Sequence, residues 1–309
     1  MSSRRPWVAA VSLTVGLAVV AIGCSPPKES ARPAPPGPLE PGATLLAVGD
    51  IASCSSTGDE ATAAIVAQHP AGVVVTLGDN VYPNGTSTEF TDCYDPSWGA
   101  HRSRTRPAAG NHDYNTAGAA GYYGYFGAAA GDPATGYYSF DVGDWHVIAL
   151  NSNCSSVPCA GGSAQEPWLR ADLAAHATAP CTLAYWHHPR FSSGTAHGSS
   201  TAVAPLWAAL HDYDAEVVLA GHEHQYERFA PLDTAGQVDR AGGVREFVVG
   251  TGGRSHYTGF VNPPLTGSEV RDGTTYGVLE LTLKPTSYDW EFLPIAGGTF
   301  SDSGSGSCH

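Results

Sequence analysis

The sequence predicts a mixed α/β sandwich, and three observations predict it. Short β-rich runs end repeatedly in a polar side chain of ligand type, helical stretches separate several of them, and the C-terminal part alternates without helices. Leu45-Leu46-Ala47-Val48 runs into Gly49-Asp50, Val73–Leu77 into Gly78-Asp79, residues 182–186 into His187, and Val217–Ala220 into Gly221-His222. Continuous apolar runs of this length, bounded by turns, are the pattern of strands buried on both faces. Residues 60–68, 166–176 and 202–211 carry helical stretches, so strand, helix, strand implies parallel neighbours joined by crossovers. Residues 244–249, 276–283 and 287–293 follow with no helix between them, which predicts an antiparallel C-terminal sheet. With 37 glycines and 23 prolines in 309 residues, tight turns between short strands suit the composition better than a helical bundle.

The chain divides into three parts. Residues 1–24 predict an export signal: Arg4 and Arg5 precede an apolar segment from Trp7 to Ile22, which closes on Gly23-Cys24. Ala21-Ile22-Gly23-Cys24 resembles a lipoprotein processing site with Cys24 as the lipidated residue, and an uncleaved anchor is the competing reading. Arg4-Arg5 also resembles a twin-arginine signal. Residues 25–42 hold seven prolines and one large apolar residue, Leu39, and are expected to be a linker. Residues 43–309 show no second linker and no internal repeat, which predicts one domain.

Cysteine usage and charge bound the function. With Cys24 set aside, Cys54, Cys93, Cys154, Cys159, Cys181 and Cys308 make an even set in an exported chain, so up to three disulfides are expected, with Cys154 and Cys159 the nearest pair. The expected location is the cell envelope, lipid-anchored to the outer face of the cytoplasmic membrane, or the exterior. Lys+Arg 15 against Asp+Glu 29 gives a formal net charge of -14. A nucleic-acid binder needs a basic face to displace counterions from phosphates, which this composition does not supply. A polybasic membrane patch is excluded on the same ground, so membrane contact is expected only through the N-terminal lipid or anchor.

The strand ends hold the chemistry. In open α/β sheets ligands bind outside the carboxyl ends of the strands. Gly49-Asp50, Gly78-Asp79-Asn80-Val81-Tyr82, Gly110-Asn111-His112-Asp113, His187 and Gly221-His222-Glu223-His224 together supply carboxylates, an amide oxygen, imidazoles and a phenol. Two metal ions about 3.5 to 4 Å apart need a shared carboxylate and separate ligands for each ion, and this inventory provides both. His222 and His224, two apart in an extended segment, project to the same side and can reach different ions. The glycine directly before Asp50, Asp79, Asn111 and His222 lets the backbone turn close to the metals.

These five blocks, in this order, resemble those of the calcineurin-like metallophosphoesterases. Ala52 stands where the general superfamily has a metal-binding histidine, and Tyr82 stands where the purple acid phosphatase branch has its tyrosine, three residues after the bridging aspartate. Gly221 to Arg228 is similar to that branch's last block. The resemblance implies a four-layer α-β-β-α sandwich with mixed sheets. It places Asp50, Tyr82 and His224 on a first metal, Asp79 as the bridge, and Asn111, His187 and His222 on a second. His112 and His197 are implied as substrate-facing catalytic residues. Fe(III) with a divalent ion, Fe, Zn or Mn, is the implied pair, and five positive charges against three from Asp50, Asp79 and a Tyr82 phenolate leave a pocket fit for an anion. The implied reaction is hydrolysis of a small phosphate monoester by a metal-bound hydroxide. A phosphodiesterase on the same site and a non-catalytic metal- or phosphate-binding lipoprotein are the alternatives.

Other side chains are expected to be structural. His69, His101, His146, His176, His211, His256 and His309 have no spaced partner and read as surface or packing residues. His188 makes a doublet with His187 and competes with it for the ligand position. Arg190 and Arg228 are expected in ion pairs, Tyr185 and Trp186 in the core, and Glu223 in support of the ligands rather than in catalysis. Gly250-Thr251-Gly252-Gly253 reads as a tight turn rather than a phosphate cradle.

Overall fold

The computed structural model describes Met1 and residues 42–309. The predicted export segment, Cys24 and nearly all of the predicted linker fall on residues 2–41, outside the described residues. Among the described residues no helix is long and apolar enough to cross a membrane.

The chain lays down three parallel strands, β1 (Ala43–Val48), β2 (Val73–Leu77) and β3 (Thr105–Ala108). It then builds a second sheet from β4 (Tyr138–Val142), β5 (Trp145–Ala149), β6 (Cys181–Tyr185), β7 (Val217–Ala220), β8 (Tyr226–Phe229), β9 (Arg245–Val249) and β10 (Ser268–Asp272). It returns to the first sheet with β11 (Gly277–Lys284), β12 (Ser287–Pro294) and β13 (Ser303–Ser307). The first sheet has the order β13-β12-β11-β1-β2-β3 and the second β10-β8-β9-β7-β6-β5-β4. Both are mixed: β1 pairs parallel with β2 and antiparallel with β11, while β5, β6, β7 and β9 run parallel between antiparallel edges.

Helices cover both outer faces, giving the four-layer sandwich. Gly58–Ala67 packs on the first sheet, and its Ala63, Ile65 and Val66 join the larger core with Leu45, Val74, Leu281 and Trp290. Gln165–Ala175 and Ala204–Asp212 cover the second sheet, where Leu169, Leu173, Leu206, Trp207 and Leu210 close on Ile148, Ala184 and Val218. Tyr185 and Trp186 are fully buried, as expected.

The antiparallel C-terminal sheet is only partly as expected. β11 and β12 form the hairpin, but residues 245–249 lie in the second sheet, parallel to β7. All five residues of β9 are buried, and a strand covered on both faces carries no sign of its partner's direction. Three disulfides, Cys54–Cys93, Cys154–Cys159 and Cys181–Cys308, use all six cysteines outside the export segment. They point to an oxidising compartment.

Candidate metal centre

The carboxyl ends of strands from both sheets converge on one cluster. Asp50 follows β1 by two residues, Asp79 follows β2 by two, and Asn111 follows β3 by three. His187 and His222 each follow their strands, β6 and β7, by two, and His224 lies in the turn before β8. Tyr82 comes from a short parallel pair, Val81–Tyr82 with Ala52–Ser53. The backbone is bent hard to bring these groups together. Asp50, Asp79 and His222 have φ of 60, 50 and 71°, in the left-handed region where a side chain costs about 1 kcal/mol or more. Gly110 lets the backbone pass Asp79, because a Cβ there would stand 2.1 Å from its Oδ1.

Two groups of ligand atoms share Asp79. In the first, Tyr82 Oη lies 2.7 Å from Asp50 Oδ1, 2.9 Å from Asp79 Oδ2 and 3.0 Å from His224 Nε2. A phenol has one proton for the two carboxylate oxygens, so the cluster is short of positive charge. In the second, His187 Nε2 lies 3.0 Å from Asn111 Oδ1, 3.1 Å from His222 Nδ1 and 3.4 Å from Asp79 Oδ2. His187 Nδ1 donates to the Leu77 carbonyl at 2.8 Å, so Nε2 of the neutral ring sets its lone pair against the lone pairs of Asn111 Oδ1 and Asp79 Oδ2. Both groups therefore fit a cation at their centre, and two sets that share His187, one with Asp50 and Asp79 and one with His188 and His222, bring a ligand atom from each residue within 4.8 Å of the others.

Titration gives the same sign. Burial would lower His187, but the Asp79 charge and hydrogen bond, with Asp50 behind them, push it up to about 9. Burial would raise Asp79, yet His187 and His112 hold it well below the usual carboxylate range. Burial, then the Asp50 and Asp79 charges, push Tyr82 far above the ordinary phenol range, so a phenolate here needs a cation beside it.

The two predicted catalytic histidines flank the cluster. The His112 ring packs against Tyr82 with centroids 4.3 Å apart and planes tilted by 46°, its backbone N–H donates to Asp79 Oδ1 at 2.8 Å, and its Nδ1 bonds the Pro83 carbonyl at 2.7 Å. His197 stacks on His222 at 4.1 Å. Glu223 points away from the ligands, and its Oε1 accepts from the His197 and Gly198 backbone N–H groups at 2.6 and 2.5 Å. Glu227 accepts from Ser193 N–H, and Glu246 from Arg190 and Phe191 N–H, so three buried carboxylates anchor the loop that carries His197.

His188 takes a different place from His187. It is bonded to Ser152 Oγ at 2.8 Å and packs at a tilt against His222, and burial, with the His187 charge, drives it down to about 3. Arg228 forms the expected ion pairs, with Asp302 and Glu269. Arg190 does not: among the described residues it meets no carboxylate within ion-pair distance, and its guanidinium lies over Phe191.

The segment after β9 supplies residues that the sequence reading missed. Ser255 Oγ bonds His224 Nδ1 at 2.7 Å, Tyr257 stacks flat on His224 at 4.2 Å, and the Arg254 guanidinium lies over the Tyr82 ring at 5.1 Å. A signal existed. β9 runs parallel to β7, so Arg254 and Ser255 lie beyond the carboxyl end of a parallel strand as Asp50 and Asp79 do, whereas an antiparallel β9 predicts no ligand there.

A four-layer sandwich with strand-end ligands gathered around one shared carboxylate defines a dinuclear-type α/β site. The calcineurin-like phosphoesterase family model matches residues 43–226, and the chain belongs to that family. Within the family its similarity falls in the purple acid phosphatase branch. Purple acid phosphatase 21 of Arabidopsis thaliana is 37% identical over 100 residues, covering 31% of this chain and 22% of the relative. An uncharacterised protein of Mycobacterium tuberculosis is 27% identical over 259 residues, 70% of this chain and 49% of that one. The purple acid phosphatase from yellow lupin (Lupinus luteus) seeds shares the fold with a TM-score of 0.70 at 19% identity, over 86% of this chain and 53% of that chain. The chain thus spans half or less of the length of these two relatives and about half of that solved chain.

Proposed function

We propose that this chain is an exported phosphoesterase that binds two metal ions and hydrolyses small phosphate monoesters. The observation that carries the reading is the pair of ligand groups meeting at Asp79. Asp50, Tyr82 and His224 would hold one ion, Asn111, His187 and His222 the other, and Asp79 both. Two such ions supply Lewis-acid charge to the phosphoryl oxygens and an activated water. Fe(III) beside divalent Fe, Zn or Mn suits a site that contains a phenolate.

The protein's own groups do the remaining work. His112, with Nδ1 bonded to Pro83, keeps Nε2 toward the site, and His197 is set by the two N–H bonds to Glu223. Either imidazole can hand a proton to the leaving alkoxide. Export follows from residues 1–24 together with the three disulfides, with lipid on Cys24 and residues 25–42 as the tether. No contact with nucleic acid is expected of a chain with net charge -14.

The test is elemental analysis of the purified protein, a visible spectrum, and phosphate release from an aryl phosphate and a bis-aryl phosphate. The expected result is close to two metals per chain including iron, a phenolate-to-iron band that Tyr82→Phe abolishes, and faster release from the monoester. Faster diester turnover would reassign the substrate, bound metal without turnover would leave a binding protein, and undiminished release by Asp79→Asn would overturn the shared-carboxylate site.

A further inference from the structure

Arg254 is a charged group that the fold delivers to the metal centre and leaves uncommitted. β9 ends at Val249, and Gly250-Thr251-Gly252-Gly253 then runs against the first block of the site, Gly49-Asp50. Gly252 N–H donates to the Gly49 carbonyl at 2.9 Å, and Arg254 N–H to the Asp50 carbonyl at 3.1 Å. Side chains would block this path: a Cβ on Gly252 would stand 2.4 Å from the Gly49 oxygen, and one on Gly253, at φ 138°, 2.2 Å from Asp59 N. The glycine run is thus a close approach rather than a cradle, and it fixes the Arg254 Cα beside Asp50.

The half-buried Arg254 side chain lies against Tyr82, with its guanidinium carbon 5.1 Å from the ring centroid. A cation held over a ring by its charge needs none of its N–H groups for that contact. Among the described residues no carboxylate lies within ion-pair distance of Arg254, and none of its side-chain N–H groups donates to the protein. Arg170, Arg228, Arg240 and Arg245, by contrast, all pair with carboxylates. No other lysine or arginine among the described residues is bonded to or stacked on any of the seven predicted ligands.

We propose that Arg254 binds the phosphoryl group of the substrate and selects the doubly charged monoester over the singly charged diester. The proposal rests on the phosphoesterase reading and names a specificity residue for it. A guanidinium fork matches terminal phosphoryl oxygens, and a monoester dianion offers one more terminal oxygen and one more negative charge than a diester.

The experiment compares the wild type, Arg254→Gln and Arg254→Lys as full-length, metal-loaded protein. Metal content comes from elemental analysis, inorganic phosphate affinity from calorimetry, and kcat and KM from an aryl phosphate and a bis-aryl phosphate. Arg254→Gln is expected to weaken inorganic phosphate binding and raise the monoester KM about 10- to 100-fold, with a distinctly smaller loss on the diester and metal content unchanged. Arg254→Lys, which keeps the charge without the fork, should fall between. Unchanged phosphate affinity, equal losses on both esters, or a loss that tracks missing metal would each overturn the proposal. Phosphate affinity is measured without turnover. A wild type that binds phosphate but hydrolyses nothing therefore defeats the phosphoesterase reading, while the comparison with Arg254→Gln still decides the role of Arg254.

Discussion

Replacing Ser255 by Ala should weaken one metal position and leave the other intact. Ser255 Oγ bonds Nδ1 of His224 at 2.7 Å, and His224 is 4% exposed, so water cannot take the place of the lost partner. That bond holds the ring with Nε2 aimed at Tyr82 and Asp50. The stack with Tyr257, at 10° between planes, fixes the plane of the ring but not its tautomer. Leaving a buried nitrogen without its partner costs about 1 to 3 kcal/mol, and loss of a hydrogen bond that orients a metal-ligating histidine lowers affinity about 10- to 100-fold. The two estimates agree, because a tenfold change corresponds to about 1.4 kcal/mol. The assay is a chelator titration with elemental analysis at each step. Ser255→Ala should release one ion per chain at a chelator strength where the wild type keeps two, and Ser255→Thr should restore the wild-type curve. Retention of both ions, or their simultaneous release, would refute the assignment of His224 to its own position.

Glu223→Ala removes the acceptor of two loop N–H groups and frees His197 from its place over His222, so phosphate release should fall about tenfold or more with metal content unchanged. Equal loss of metal would show that Glu223 supports the ligands instead. The Cys181–Cys308 disulfide spans 127 residues and ties the start of β6 to the chain end, so a Cys308→Ser protein should lose about 2 to 5 kcal/mol in denaturant unfolding, and a loss under about 1 would refute this. Away from the site, burial opposes the charge on His146, but hydrogen bonds and charges from Asp172 and Asp141 raise its pKa, and the His176 ring stacks on it at 3.7 Å. A raised folded pKa stabilises fully below the unfolded value near 6.5 and fades as pH climbs through the folded one. The stability gap between wild type and Asp172→Asn should therefore be widest around pH 5 to 6 and shrink with rising pH, and a gap that grows toward alkaline pH would exclude this ion pair.

What was legible in the sequence follows from what one position can report. Strands β1, β2, β6 and β7 are apolar on both faces and end in turns, so they and the ligands beyond them stand out, and the helices Gly58–Ala67, Gln165–Ala175 and Ala204–Asp212 fall within a few residues of their expected places. β3 reads TRPA, with an arginine and a proline, and β13 reads SGSGS and joins β12 by backbone alone, so neither carries a hydrophobic signal. The short helical turns of residues 87–130 are packed by aromatic contacts such as Phe90 with Tyr125 and Tyr94 with Phe126, which no local period announces. At the site, ligands have a chemical type that marks them. Their supports do not: Ser152, Ser255, Glu227 and Glu246 are ordinary residues until folding sets them against a histidine or a loop N–H.

An acidic chain suits a phosphate ester once charge is followed locally. The buried carboxylates around the ligand cluster that are not ligands turn to N–H groups, Asp113 to Gly110 and Asn80 and Glu223 to His197 and Gly198. The raised His187, the lowered Asp79 and the overfilled Tyr82 hydroxyl all express one local demand for cations. Three ligands in the left-handed region hold that arrangement against backbone preference, a cost the fold sustains only because two sheets and their covering helices fix both ends of each strand-end turn. Net charge governs how the protein as a whole meets other macromolecules, while the sign of the field at the bottom of the cleft is set by what Asp50, Asp79 and Tyr82 bind. With cations there, Arg254 adds to a field that already favours a dianion, and this is why its removal should be felt in KM, at the encounter with phosphate, before it is felt in kcat.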